Sequence, residues 1–286
     1  MQKIWVCGAR GQIGQAVNDV VDKLEFEMLD TDVDDLDVTD TDEVLRFGEM
    51  NRPDIIINCS GMTDISSCEE NPSQAFKVNA LGARNLAIVA AKMQAKMVQL
   101  STDDVFDGKS TEPYTEFDIT NPGTVYGKSK LAGENYVKEF TTKHFIVRST
   151  WVYGKGQNFI NGFLKKVDAG EQLFDCLRPV WITDERKRTG KIFITSYAYK
   201  RVRNLPCDEQ GRVQPLCDFA QEILKMTGKT ASMQPVPTVM SDFSKVRPAY
   251  AVLDNFIMSM VPIYDFPDWQ DSLREYLEER GLYHAE

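Results

Sequence analysis

The sequence predicts an α/β protein built on a doubly wound parallel sheet, with a smaller C-terminal region attached. Three observations carry that prediction: strand-like apolar runs alternate with amphipathic stretches, the first run ends in a glycine-rich turn, and the alternation weakens beyond about residue 150. The strand-like runs are Lys3 to Gly8, Phe26 to Asp30, Asp54 to Ser60, Lys96 to Thr102 and Phe145 to Thr150. Between them, helical patterns span Gln12 to Leu24, Thr41 to Met50, Pro72 to Met93 and Val125 to Phe140. Short strands separated by helices of that length require crossover connections, which place helices on both faces of a parallel sheet. Toward the C-terminus a further helix is expected from Pro267-Asp268-Trp269 to Arg280, closed by Gly281.

Composition removes several classes of chemistry. The chain has 286 residues and a net charge of −10, from 33 Lys plus Arg against 43 Asp plus Glu. Such a field repels nucleic acid and anionic membrane. Its only two histidines, His144 and His284, leave little for a Ser-His-Asp triad or a His-rich metal site. The six cysteines, Cys7, Cys59, Cys68, Cys176, Cys207 and Cys217, form no C-x-x-C pair, which fits reduced, mostly buried thiols. The chain starts on a strand pattern rather than a signal peptide and has no apolar run of about 18 residues, so a soluble cytoplasmic protein is expected.

The first strand ends in Gly8-Ala9-Arg10-Gly11-Gln12-Ile13-Gly14, a G-x-x-G-x-x-G that opens directly into a helix. Glycines let the backbone turn and approach a pyrophosphate, while the helix start offers unpaired N–H groups and a positive dipole end. Asp30 and Asp32 follow Gly14 by 16 and 18 residues, near the acidic position that accepts a hydrogen bond from an adenosine ribose. Asp32 is the stronger candidate, and its charge favours NAD(H) over the 2′-phosphorylated NADP(H). Residues 1–155 are therefore read as a Rossmann-type dinucleotide-binding domain, and 156–286 as a mainly substrate-binding region. The stretch Leu36-Asp37-Val38-Thr39-Asp40 turns the chain and offers a cap to the next helix.

Tyr126-Gly127-Lys128-Ser129-Lys130 places a phenol and an ammonium at i and i+4 on one helix face, about 5–6 Å apart at Cβ. A free phenol has a pKa of about 10, and a cation fixed beside it favours the phenolate, which suits proton exchange with a carbonyl oxygen near neutral pH. Thr102 ends the fourth strand 24 residues earlier, at the carboxyl edge of the sheet where ligands bind in open α/β folds.

With these residues in view, the sequence resembles the extended short-chain dehydrogenase/reductase superfamily, and within it the dTDP-4-dehydrorhamnose reductase family. The matching pieces include Gly11-Gln12-Ile13-Gly14, Leu36 to Asp40, Pro53 to Cys59, Val78-Asn79-Ala80, Ser101-Thr102-Asp103, Val105-Phe106-Asp107-Gly108, Tyr126 to Lys130, Leu131 to Glu134 and Arg148 to Gly154. The resemblance implies reduction of a sugar C4 ketone by NADH or NADPH, giving dTDP-L-rhamnose from its 4-keto precursor. It implies that Tyr126 donates the proton, that Lys130 lowers its pKa and holds the nicotinamide ribose, and that Thr102 positions the carbonyl. It also assigns Gly11, Gln12 and Ile13 to the pyrophosphate, Asp37 and Val38 to the adenine, Ser60, Gly61 and Met62 to the cofactor, and Asp103 and Trp151 to the sugar nucleotide. A Mg²⁺ requirement and a homodimer stay open.

Two departures keep rival readings in play. Asp104 stands where the reductase pattern has Tyr, and an acidic pair after the Thr leans toward sugar-nucleotide dehydratases or epimerases on the same scaffold. Residues 175–217 depart more: an Asp-Gln-x-Gly-x-Pro-Thr loop and a Gly-x-Tyr/Phe-His strand are expected there, but the chain reads Arg178-Pro179-Val180-Trp181-Ile182-Thr183-Asp184. The string agaccagtatggatcaccgac encodes those seven residues and, from its second base, Asp-Gln-Tyr-Gly-Ser-Pro. A compensated pair of frameshifts is the expectation. A divergent basic insertion is the alternative, since the interval holds nine Lys/Arg against five Asp/Glu. Disruption there also leaves open a catalytically impaired, NAD(P)-binding regulatory subunit.

Overall fold

The computed structural model describes residues 1–154, 156, 158–170, 173–177, 180–181, 183–185, 204–207, 214–236, 250, 252–260 and 267–284. Its centre is a six-stranded sheet in the order β2-β1-β3-β4-β5-β10, every neighbouring pair parallel. These strands are β1 (Gln2–Cys7), β2 (Phe26–Thr31), β3 (Ile55–Asn58), β4 (Lys96–Thr102), β5 (His144–Ser149) and β10 (Asn204–Cys207). Strand order reverses direction between β1 and β3, so the loops that follow these two strands diverge and leave a crevice. The expected doubly wound sheet is what forms. Its sixth strand comes from the interval whose sequence gave no strand pattern.

Alternation along each strand makes the two faces. Ile4, Val6, Ile55, Ile57, Val98 and Val147 pack under α1 (Gln12–Val20) through Ile13 and Val17. Trp5, Cys7, Ile56 and Met97 point the other way, against α2 (Thr41–Asn51), α5 (Ala83–Met93) and α6 (Val125–Phe140). Near-continuous Ile/Val runs such as Ile55-Ile56-Ile57 are what a strand buried on both faces requires.

Local chemistry sets the helix starts. Asp40 caps α2 by accepting from the Asp42 and Glu43 N–H groups, as expected for that stretch. Thr124 caps α6 by accepting from Gly127 N at 2.9 Å. The long pattern from Pro72 to Met93 resolves into α4 (Pro72–Phe76), a π-helical turn over Lys77–Gly82, and α5; α3 (Ile65–Glu70) precedes them. A π turn has the same amphipathic look in sequence as the helix around it, which is why the spacing did not separate it.

Beyond β5 lie β6 (Trp151–Tyr153), α7 (Phe159–Asp168), β7 (Leu173–Leu177), β8 (Val180–Trp181) and β9 (Thr183–Glu185). After β10 come β11 (Gln214–Pro215), α8 (Leu216–Met226), β12 (Ser232–Val236), α9 (Phe256–Met260) and α10 (Trp269–Glu279). A further apolar cluster joins α7, α8 and α10 through Ile160, Phe163, Phe219, Ile223, Leu273 and Leu277. The expected terminal helix is present, capped by Asp268, with Gly281 at φ 64° behind it. Most of residues 175–217, and all their side chains, lie outside the described residues, as does Arg247 to Ala249.

Candidate active site

The crevice holds two cavities that share Gly11, Cys59, Ser60 and Gly61 as walls. The one of about 410 Å³ lies between the glycine loop and the end of β2, and is lined by Gly8, Thr31, Asp32, Asp37, Val38 and Met62 among others. The larger, about 780 Å³, reaches Gln12, Ile13, Thr102, Asp103, Tyr126, Lys130 and Trp151. Every residue singled out from the sequence as a catalytic, cofactor or substrate contact lines one or the other, except Gly14 and Asp30. That glycine is buried in α1, where a Cβ would sit 2.3 Å from the Gly8 carbonyl oxygen, so it lets the helix touch the strand end rather than touch a ligand.

A dinucleotide fits this crevice on local grounds. Gly8 has φ +75°, and the N-cap of α1 is Gly11, which has no side chain, so the N–H groups of the first turn are not taken by a capping side chain. Asp32 is held rigidly: its Oδ2 accepts from Arg10 N at 2.8 Å and its Oδ1 from Val33 N at 2.9 Å. Asp30, by contrast, is exposed and lines neither cavity.

The catalytic helix is positioned by contacts along its length. Gly127 lets α6 press on the short 3₁₀ turn Asp103–Val105, since a Cβ there would come 2.1 Å from the Asp104 carbonyl oxygen. Ser129 donates to the Tyr126 carbonyl at 2.8 Å and accepts from Asn79 Nδ2 at 2.9 Å. Asn79, in the π turn, also accepts from Met62 N at 2.8 Å and donates to Met62 O at 2.9 Å. One amide thereby joins the loop after β3 to α6. A residue that supports both walls without facing the cavity leaves no spacing signature, so Asn79 is visible in the sequence only as part of the matching piece Val78-Asn79-Ala80, without its role.

Tyr126, Lys130, Thr102 and Asp103 are all buried. Lys130 Nζ donates to Leu100 O at 2.7 Å, and burial pulls its pKa down to about 8, with Cys59 and Glu134 partly opposing. Thr102 Oγ1 donates to Asp103 Oδ1 at 2.9 Å and accepts from Asp104 N at 3.2 Å, so its hydroxyl is already ordered at the cavity wall. Cys59 is not a nucleophile candidate, because burial pushes its thiol up to about 12 even with Lys130 nearby. Behind the site, Glu134 is fully buried and accepts from Arg148 at 2.9 and 2.8 Å and from Ser101 at 2.6 Å. Burial alone would raise the Glu134 carboxyl, but Arg148, Lys138 and Ser101 outweigh it and hold it below the usual carboxylate range. Among the described residues no group of three or more His, Cys, Asp or Glu could hold a metal ion, and no helix is long and apolar enough to cross a membrane.

Known proteins resemble this chain over nearly its whole length. The spore coat polysaccharide biosynthesis protein SpsK of Bacillus subtilis is 30% identical over 286 residues, covering 98% of this chain and 99% of the relative. The crystal structure of a dTDP-4-dehydrorhamnose reductase from Clostridium acetobutylicum is 34% identical with a TM-score of 0.94, covering 98% of this chain and 100% of the other. A Bacillus anthracis dTDP-4-dehydrorhamnose reductase in complex with NADP is 28% identical with a TM-score of 0.93, again over 98% and 100% of the two chains. The family described as RmlD substrate binding domain matches residues 1–281, and the chain belongs to that family.

Proposed function

We propose that the protein is an NAD(P)H-dependent oxidoreductase that reduces the C4 keto group of a dTDP-4-dehydro-6-deoxy sugar, converting dTDP-4-dehydrorhamnose to dTDP-L-rhamnose. The observation that carries the reading is the convergence of Tyr126, Lys130 and Thr102 on one cavity that shares walls with a second one beside the glycine loop and the end of β2. The reductases from Clostridium acetobutylicum and Bacillus anthracis support the substrate class.

A bound reduced nicotinamide supplies the hydride to the ketone carbon. Tyr126 gives its phenolic proton to the ketone oxygen as the alkoxide develops. Lys130 favours the resulting phenolate by its charge and is held in place by Leu100 O. Thr102 holds the carbonyl oxygen by turning its hydroxyl proton from Asp103 Oδ1 to the ketone, while Asp103 and Trp151 meet the sugar nucleotide. The glycine loop, Asp32, Asp37, Val38 and Ser60 to Met62 take the cofactor. Residues 156–286 are read as a mainly substrate-binding region, from which Asn158 and Phe159 line the larger cavity.

Incubating the protein with dTDP-4-dehydrorhamnose and either reduced cofactor tests this directly. Stoichiometric loss of the reduced nicotinamide absorbance is expected, and Tyr126→Phe abolishes it while binding of the dinucleotide persists. Turnover of the Tyr126→Phe protein within a few-fold of the parent would overturn the proton-donor role. Asp103 and Asp104, both buried on the cavity wall, favour a second reading as a dehydratase or epimerase. That chemistry regenerates its cofactor, so it shows product with no net loss of the reduced form.

A further inference from the structure

The two nicotinamide cofactors differ only by a phosphate on the adenosine ribose, and Asp32, on the wall that would meet it, is joined to a charged cluster of Arg10, Asp34 and Asp35 just outside the cavity. We infer that Arg10, Asp34 and Asp35 form an ion-paired clasp at the adenosine end of the groove that makes the protein select NADH over NADPH. The inference rests on the proposed use of that groove for a nicotinamide dinucleotide.

Asp32 faces the cavity with both carboxylate oxygens already anchored by backbone N–H groups of Arg10 and Val33. An ionised carboxylate can accept from a ribose hydroxyl but has no proton to offer a phosphate. A 2′-phosphate would need a cation here, and the glycine loop does carry one, Arg10. Its guanidinium is turned away to the neighbouring loop, with Nη1 2.9 Å from Asp34 Oδ2 and Nη2 2.6 Å from Asp35 Oδ2. The same Asp35 oxygen accepts from Asp32 N at 3.0 Å, so the clasp and the ribose-facing carboxylate are one unit. Hydrogen bonding to Arg10 keeps the Asp35 carboxyl below its usual range, and the reciprocal bond raises Arg10, so both remain charged.

Arg10, Asp32, Asp34 and Asp35 together carry a charge of −2 beside a cavity that Asp37 also lines, which opposes a phosphate dianion and leaves a neutral hydroxyl unaffected. The clasp is open to solvent, with Arg10 at 57% and Asp34 at 77% side-chain exposure, so the ion pairs are weak individually. Arg10 is therefore held by its two partners rather than by packing. Neutralising those partners releases a guanidinium whose planar fork suits bidentate phosphate binding.

The test is equilibrium binding of NADH and of NADPH to the full chain, followed by nicotinamide fluorescence. The parent is expected to bind NADH at least about tenfold more tightly. Asp34→Asn with Asp35→Asn should shrink that ratio by about tenfold through a gain for NADPH, and adding Arg10→Ala should remove the gain. Raising the salt concentration should narrow the parent's preference, because exposed charges are screened. Because the ratio is taken within one protein preparation, it does not depend on how much of a variant is folded. Equal affinities in the parent, or an unchanged ratio in the Asp34/Asp35 variant, overturn the inference. Failure of the parent to bind either dinucleotide overturns the groove's reading as well, a result distinct from binding without preference.

Discussion

Lys130 shows how a site residue can cost stability. Its folded pKa of about 8 lies below the usual 10.5, so at neutral pH the folded chain holds an ammonium that burial disfavours. The unfolded chain binds this proton more tightly between about pH 8 and 10.5, so the contribution of this group to stability rises with pH across that window. Lys130→Met should therefore match or exceed the parent in thermal stability at pH 7 while losing turnover. The advantage should shrink by up to about 3 kcal/mol as the pH rises through the window, read from denaturant unfolding of the two proteins. A constant difference across that range would contradict the assignment. Gly127 makes the opposite point, because its missing side chain is what matters. Gly127→Ala forces α6 away from the Asp104 carbonyl, with an expected loss of about 1–3 kcal/mol in stability and more than tenfold in kcat. At this scale the sequence was most informative. Tyr126, Lys130 and the glycine loop are legible because their geometry is set within a few residues along the chain, whereas Arg10 reads only as an unspecified position inside the glycine motif.

Among the elements, α6 is tied to its surroundings on several sides, and the ties lie outside any local pattern. Arg148 from β5, Ser101 from β4 and Glu134 from α6 meet in one buried network, and the Arg148 guanidinium also lies 5.1 Å over the Phe106 ring. Three residues on three elements have no shared spacing, so only the fold reveals the network. Removing one partner strands a buried charge, and Arg148→Met should cost about 3–5 kcal/mol in chemical denaturation. Glu134→Gln with Arg148→Met, which removes both charges, should recover a large part of that loss. Strands and one helix start were better announced, since alternating apolar runs gave the sheet and Asp40 capped α2 where the sequence offered a cap, whereas the Thr124 cap of α6 emerges from the structure. The π turn over Lys77–Gly82 was hidden inside a continuous amphipathic stretch.

For the whole molecule, the interval 175–217 is where the reading of the sequence and the family part company. The shifted frame that yields Asp-Gln-Tyr-Gly-Ser-Pro at Arg178 to Asp184 also admits Gly-Thr-Tyr-His across the codons of Arg203 to Cys207, in the same phase. Two expected motifs in one phase favour the compensated frameshift over a divergent insertion. Resequencing the gene should find one insertion or deletion near each end of the interval. A clean, in-frame gene, with no such change relative to close relatives, would sink the idea. If the shift is real, dinucleotide binding should be retained far better than turnover, measured by titration and by the reductase assay. The reason lies in how α6 is mounted. Lys130 hangs from a sheet carbonyl, Ser129 is joined to the π turn, and the first N–H of the helix, at Val125, is taken by Glu69. These residues are ordered when the chain folds, before any substrate arrives. Differences in rate among candidate sugars should then report the fit of each sugar against a fixed frame, with little entropy spent on assembling the frame itself.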